Sequence, residues 1–286
     1  MKIKHSKLSE LSGLTSKEMD LFFYLIRFQD DCGNVIGVHN REVCRLMGMC
    51  KQSFYNALRS LEAKNIITVE KNSDCDYDVH IIGNDCSTEE LRKEGYIQMD
   101  LPVFRSKEFL KLKGHEKYMF LELYWRNLNS TKKSKSFEVG VNNFYTKVAF
   151  VKALGVSKRV IRGYLHSLKQ FFSIGIKEGK YYITYRKSLF KSERGSLSNN
   201  EKRNGHLVRI GLRRNKSTGN QREIYDTAKL LDQYKGIAAR MGMTIADLKE
   251  MLLDCIGVSM RGKALKDREL SARHVHKILH RRLCKI

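Results

Sequence analysis

Apolar positions along the chain change period several times, and each change predicts an element. From residue 16 to 29 the apolar positions Met19, Leu21, Phe22, Phe23, Tyr24, Leu25, Ile26 and Phe28 run nearly all round a helix. That predicts a helix buried all round, with Ser16 as its N-cap. Asp31-Cys32-Gly33-Asn34 reads as a turn, and 34–38 as a short strand. Asn40 is expected to cap a helix through Leu46 that Gly48 ends. Phe54, Leu58 and Leu61 recur at i, i+4 and i+7 and predict a helix over 50–64, stopped at Asn65. Residues 66–71 and 77–82 then alternate as two strands around a polar tip at 72–76.

The same series returns downstream. Residues 47–71, MGMCKQSFYNALRSLEAKNIITVEK, align without a gap on 154–178, LGVSKRVIRGYLHSLKQFFSIGIKE, at an offset of 107. Gly48, Lys51, Leu58, Ser60 and Leu61 match Gly155, Lys158, Leu165, Ser167 and Leu168. Phe54, Ile67 and Val69 match Ile161, Ile174 and Ile176 in apolar character. Around the second copy, 115–128 predicts a helix rich in Tyr118, Phe120, Leu121, Tyr124 and Trp125. A short strand follows at 137–141, helices at 144–154 and 157–171, and strands at 174–177 and 181–185 around Glu178-Gly179-Lys180. Internal repetition on this scale fixes the organisation before any residue-level reading.

Helix, strand, helix, turn, helix, strand, tip, strand is the order in both copies. With the turn Gly155-Val156-Ser157-Lys158-Arg159 and Leu165 and Leu168 behind it, both copies resemble winged-helix domains over 16–83 and 104–187. The resemblance implies a mainly α fold with small β-hairpin wings: two tandem winged-helix domains plus a C-terminal helical domain. The expected boundaries are 1–84 and 104–187 for the two domains, with a linker at 85–103 holding Asp85, Glu89, Glu90, Glu94 and the single proline, Pro102. Residues 188–222, with Lys191, Arg194, Lys202, Arg203, Arg209, Arg213, Arg214, Lys216 and Arg222, read as a mobile basic linker in which 207–212 has strand character. Residues 223–286 read as three helices. Ile224, Ala228, Leu231 and Tyr234 mark the first; Thr244 caps the second, with Leu248, Met251, Leu252 and Ile256; and Ala272, Val275, Leu279 and Leu283 mark the third.

Charge adds a direction. The chain carries 54 Lys and Arg against 31 Asp and Glu, a net +23 over 286 residues. Residues 1–100 hold 13 basic and 16 acidic side chains, whereas 101–286 hold 41 and 15. A field of that sign attracts polyanions, nucleic acid first. The uneven split predicts a division of labour between the two halves of the chain. No run of 18 apolar residues is present, so no membrane span is expected. The opening Met1 to Lys7 lacks the apolar stretch of a signal peptide. Seven cysteines, odd in number and unevenly spaced, point to a reducing, cytoplasmic setting and to small core residues.

In the helix-turn-helix that the resemblance implies, the second helix enters the major groove and its buried face cannot touch DNA. In the second copy that buried face is Ile161, Tyr164, Leu165 and Leu168, leaving Ser157, Lys158, Arg159, Arg162, His166 and Lys169 outward. Arg159 and Arg162 are the expected base readers, since Arg pairs bidentately with guanine. Lys158, Lys169 and the wing residues Lys177 and Lys180 are assigned to phosphates. The first copy turns Lys51, Gln52, Ser53, Tyr55, Asn56 and Arg59 outward. Its wing carries Asp74, Asp76 and Asp78, which beside phosphates would oppose binding, so dimerisation or docking of a basic protein partner competes with DNA contact there. The last helix is basic, with Arg268, Arg273, Lys277, Arg281, Arg282 and Lys285 on or beside it, and reads either as a phosphate anchor or as an oligomerisation arm.

Three constellations are declined. Gly257 to Ala264 imitates a phosphate-binding loop but ends in Ala where Mg²⁺ needs a hydroxyl. His276, His280 and Cys284 share a helix face at zinc-like spacing without a fourth ligand. His274-Val275-His276 imitates a nickase motif but lies in a helical pattern. No cofactor, metal or catalytic constellation is expected. The expected function is sequence-specific duplex DNA binding without enzymatic activity, by a homodimer. The tandem arrangement resembles plasmid replication initiators of the Rep type, which implies a plasmid- or phage-type initiation or maintenance role. A homodimeric winged-helix transcription regulator and a DNA-tethered docking adaptor are the alternatives.

Overall fold

The structure is a computed structural model that describes residues 2–88, 93, 95–98, 103–104, 106–130, 136–146, 150–186 and 199–284. It is mainly helical with small antiparallel sheets. The chain divides into two compact units, Met1–Ser192 and Glu193–Ile286.

The first unit contains both copies of the repeat. Copy one runs α1 (Leu8–Leu11), α2 (Ser16–Phe28), β2 (Asn34–His39), α3 (Asn40–Met47), α4 (Lys51–Ala63), β3 (Ile67–Ser73) and β4 (Asp76–Ile81). Copy two runs α5 (Lys107–Leu110), α6 (Gly114–Leu128), β6 (Phe137–Gly140), α7 (Val141–Thr146), α8 (Phe150–Leu154), α9 (Lys158–Leu168), β7 (Phe172–Lys177) and β8 (Lys180–Tyr185). Each copy has one three-stranded antiparallel sheet in which the last strand is central, β2-β4-β3 and β6-β8-β7. The alternation read from the sequence sets the registers, with Ile67 opposite Ile81 and Val69 opposite Val79, then Ile174 opposite Ile183.

The turn before the second helix of each pair is built identically. Gly48 and Gly155 both sit in the left-handed region, at φ 61° and 62°. A side chain there would be strained, which is the physical reason for glycine at both positions. Helix starts differ slightly from expectation. Thr15, not Ser16, caps α2, in a reciprocal box with Glu18, and His39 rather than Asn40 caps α3. Ser16 instead spends its hydroxyl on the other copy, accepting from the Gly114 N–H at 2.9 Å. A Cβ on Gly114 would lie 3.1–3.2 Å from the Ser16 and Leu14 backbone, so the two first helices meet at a glycine.

The two copies share one continuous hydrophobic core. Met19 to Ile26 of α2 are all buried, and Phe23 packs edge-on to Phe109 with ring centroids 5.1 Å apart. Phe109 leads on to Phe120, and Phe120 to Phe171 and Phe172, all within 5.3 Å. One ion pair crosses the same boundary: Lys117 of α6, 1% exposed, donates to Asp20 of α2. Burial raises the Asp20 carboxyl above its ordinary value even against the Lys117 ammonium.

The stretch 85–103, read as a linker, contributes β5 (Tyr96–Gln98), which pairs antiparallel with β1 (Lys2–Lys4). Asn84 anchors this edge, accepting from the Lys4 N–H at 2.8 Å and donating to Gln29 at 2.8 Å. Glu89, Glu90, Glu94 and Pro102 lie outside the described residues.

The described residues of the second unit form four α-helices, α10 (Asn199–Arg214), α11 (Gln221–Arg240), α12 (Ile245–Met260) and α13 (Ala272–Leu283). The reading of 188–222 as a mobile linker, with a strand at 207–212, is corrected over the described residues Asn199–Arg214, which form α10, while 188–198 lie outside the described residues. Leu207, Val208, Ile210 and Leu212 are buried on α10 beside α11 and α12, and burying neighbours on one side of the chain is the work of a helix, not of alternation. Lys191 and Arg194 lie outside the described residues. Thr244 caps α12 in a box with Asp247, as its sequence position predicts. No helix among the described residues is long and apolar enough to cross a membrane.

Candidate nucleic-acid interface

Helix α9 exists because Ile161, Leu165 and Leu168 fall on one face and Ser157 supplies its N-cap, accepting from the Val160 N–H. Those three side chains are buried and Tyr164 is half-buried. The opposite face therefore points out. Ser157, Lys158, Arg159, Arg162, His166 and Lys169 are all exposed, as the sequence predicts. At the wing, Lys177 and Lys180 are cross-strand partners flanking the tight turn at Glu178 and Gly179, and both are exposed. Lys177 lies 3.7 Å from the Glu178 carboxylate, an exposed pair of little energetic consequence. Among the described residues no carboxylate pairs with Lys158, Arg159, Arg162, Lys169 or Lys180.

Behind this face lies a pair of tyrosines that the sequence reading does not single out. Tyr145 of α7 and Tyr181 of β8 are buried, with hydroxyls 2.9 Å apart. Arg162 donates through Nε to the Tyr145 hydroxyl at 3.3 Å and lies over its ring, 5.9 Å from the centroid. The Lys158 ammonium stands over the same ring at 5.8 Å. Burial, reinforced by the bond to Tyr145, pushes the Tyr181 phenol up to about 12. Tyr145 thus fixes the Nε edge of Arg162 and leaves the rest of the guanidinium fork for a ligand. Only the strand alternation that turns Tyr181 inward hints at this pair in the sequence.

Copy one uses the same frame differently. Lys51, Gln52, Asn56 and Arg59 are exposed on α4, whereas Ser53 and Tyr55 are half-buried. Four of the six expected contact residues thus stand in solvent and two stand partly in it. Ser53 closes the N-terminal turn of α4 with Cys50, whose sulfur accepts from the Ser53 N–H at 3.4 Å. Tyr55 accepts from Asn40 at 3.1 Å, donates to the Asp74 carbonyl at 3.2 Å and packs against Phe54 and Tyr77, which ties α4 to the wing. Gln52 and Asn56 bond to each other at 2.8 Å.

The acidic wing is also less acidic outward than its sequence suggests. Asp76 is buried, and Asp78 accepts from the Gly37 N–H at 2.7 Å, at the irregular step in the β2–β4 pairing. Only Asp74 stands fully in solvent, 2.9 Å from Lys71. The Lys71 ammonium holds the Asp74 carboxyl below its ordinary value.

The declined constellations resolve into local structure. Gly257 to Met260 belong to α12, so the Gly257 to Ala264 run is not a strand-to-helix loop. His276 and His280 flank buried Tyr234, whose hydroxyl lies 3.1 Å from His280 Nδ1. Among the described residues no group of three His, Cys, Asp or Glu side chains converges as metal ligands. Among the described residues no cysteine is joined in a disulfide. Cys86 and Cys255 are buried, whereas Cys50 and Cys284 are exposed, contrary to the reading of the cysteines as core residues. Comparison with protein-family models, with curated proteins and with solved structures finds no match to this chain.

Proposed function

We propose that the protein binds duplex DNA sequence-specifically, with its two repeats acting as winged-helix domains and without catalysing a reaction. The observation that carries this reading is the solvent-facing side of α9: five cations on the helix and its wing without a carboxylate partner among the described residues, one of them held in place by a buried tyrosine. A second helix of a helix-turn-helix pair reads base edges with such residues, Arg159 and Arg162 on guanine and Lys158, Lys169, Lys177 and Lys180 on phosphate.

The preferred role is replication initiation or maintenance of a plasmid- or phage-type element. What supports it over a homodimeric operator-binding regulator is the common core of the two copies, which gives a single chain two such helices on one body. Site selection from a random duplex pool at near-physiological salt, followed by footprinting, tests both levels. The wild type is expected to enrich a motif that Arg159→Ala/Arg162→Ala no longer enriches. Spaced copies of the motif support initiation, and one palindrome bound by two chains supports regulation. Binding without any enriched motif overturns the reading.

A further inference from the structure

Helix α13 of the second unit divides its twelve residues between two faces. Val275, Leu279 and Leu283, four apart, are buried in that unit's core. Arg273, Lys277 and Arg281, also four apart, are exposed. Three residues of helix advance about 1.5 Å each and a fourth completes the step, so the charges follow one another at about 6 Å along the axis. The helix contains no Asp or Glu. Two carboxylates touch it, and both are occupied. Glu223 accepts from the Ala272 N–H at 2.5 Å, and Asp254 takes Arg282 at 2.5 Å and Arg261 at 3.8 Å. Arg268, counted with this basic helix in the sequence, serves the fold instead, donating to the Lys263 and Asn215 carbonyls at 3.2 and 3.1 Å. Lys285 lies outside the described residues. Among the described residues, Arg273, Lys277 and Arg281 have no ion-pair partner, and exposed His274, His276 and His280 stand between them.

We propose that this face of α13 is a sequence-independent surface for the phosphate backbone of duplex nucleic acid. A row of cations without ion-pair partners among the described residues, flanked by hydrogen-bonding imidazole rings, suits a polyanion that presents phosphates in series. A lipid surface fits less well. A helix that lies in a membrane interface needs an exposed apolar face, and every apolar side chain of α13 is buried or half-buried in the unit. The proposal concerns another unit and another binding mode than α9, and it stands whether or not α9 reads sequence.

The test is a salt titration of the full chain on a duplex of arbitrary sequence, read by fluorescence anisotropy. Arg273→Ala/Lys277→Ala/Arg281→Ala is compared with the wild type and with Lys216→Ala/Lys235→Ala/Arg240→Ala, which removes three exposed cations elsewhere on the same unit. Each phosphate contact contributes about 0.9 to the slope of log affinity against log salt, so the α13 triple is expected to flatten that slope by about 2 to 3 and to weaken binding at least ~10-fold at moderate salt. The control triple is expected to change the slope by less than about 1. Thermal unfolding checks that each variant folds. An unchanged slope for the α13 triple overturns the proposal. So do equal losses in both triples, which would mean diffuse charge, and retained DNA affinity with loss of binding to phosphatidylserine vesicles. Arg159→Ala/Arg162→Ala, taken through site selection from a random duplex pool, separates the two readings. Its failure to change sequence preference breaks the α9 assignment alone.

Discussion

The two copies place a tyrosine at the same junction of helix and wing from opposite directions. In copy one Tyr55 belongs to the second helix itself and reaches the wing tip, so an outward position of α4 is used up in holding the fold together. In copy two the tyrosine, Tyr145, comes from α7, two helices earlier in the chain, and the position equivalent to Tyr55 is Arg162, which rests on it. Gln52 and Arg159 are a second equivalent pair, one tied to its helix neighbour and one without a carboxylate partner. One backbone thus supports a surface in the first copy whose Gln52, Asn56 and Tyr55 bond to the protein itself, and in the second a cationic one without carboxylate partners among the described residues. Charge on the page is therefore a poorer guide than partnered charge. Asp76 and Asp78 count as acidic in sequence, yet neither stands unpartnered at the first wing.

That contrast presumes two surfaces on one core, and the strongest way to break it is at the core. Asp20→Ala leaves the Lys117 ammonium buried and unpaired, which costs about 3–5 kcal/mol. Asp20→Leu combined with Lys117→Met is expected to recover most of that loss, because a buried pair replaced by packing is often neutral. Urea denaturation followed separately by Trp125 fluorescence and by circular dichroism measures it. Coincident transitions for Met1–Ser192 support a single cooperative unit. Two separated transitions would dissolve the comparison into two independent domains.

The next effect sharpens it. Arg159→Ala is expected to lose about 1–3 kcal/mol of discrimination at one base pair, and Gln52→Ala, its equivalent, markedly less. Competition binding between the selected duplex and single-base variants reads both. An equal loss in the two would make copy one a full reader. A smaller effect isolates the tyrosines. Tyr145→Phe removes only the hydroxyl under Arg162 and is expected to cost about 1 kcal/mol of discrimination with nonspecific binding unchanged. Tyr55→Phe is expected to cost a similar amount of stability and no discrimination.

The repeat carried most of the fold in legible form. Gly48 and Gly155, the i, i+4, i+7 apolar stripes and the alternating hairpins are local signals, and they recur where the helices and wings stand. The outward face of α9 followed from the same periodicity, because a helix whose buried stripe is known has its exposed stripe fixed. What was not legible depends on partners distant in sequence. Lys117 and Asp20 are ordinary surface residues until α2 and α6 meet. Tyr145 has no local mark of its role. The basic composition of 199–214 concealed a helix, because its buried Leu207, Val208, Ile210 and Leu212 have partners only in α11 and α12.

The smallest expected effect concerns acid. Burial pushes the Glu18 carboxyl up, but bonds from Lys64 at 2.7 Å, from the Ser60 hydroxyl and from the Thr15 N–H at 2.7 Å together bring it below its ordinary value. A carboxyl lowered by folding contributes stability that is present above its unfolded value and is lost as pH falls through the folded one. Asp20, raised by burial, has the opposite sign: its contribution is complete at low pH and declines as pH rises through its folded value. Glu18→Gln should therefore flatten the acid limb of the stability profile, and Asp20→Asn should flatten a change of opposite slope. Denaturant midpoints measured from neutral pH down through the carboxylate range decide it. If Glu18→Gln leaves the acid limb as steep as in the wild type, the cap between α2 and α4 does not hold this carboxylate in solution as the geometry requires.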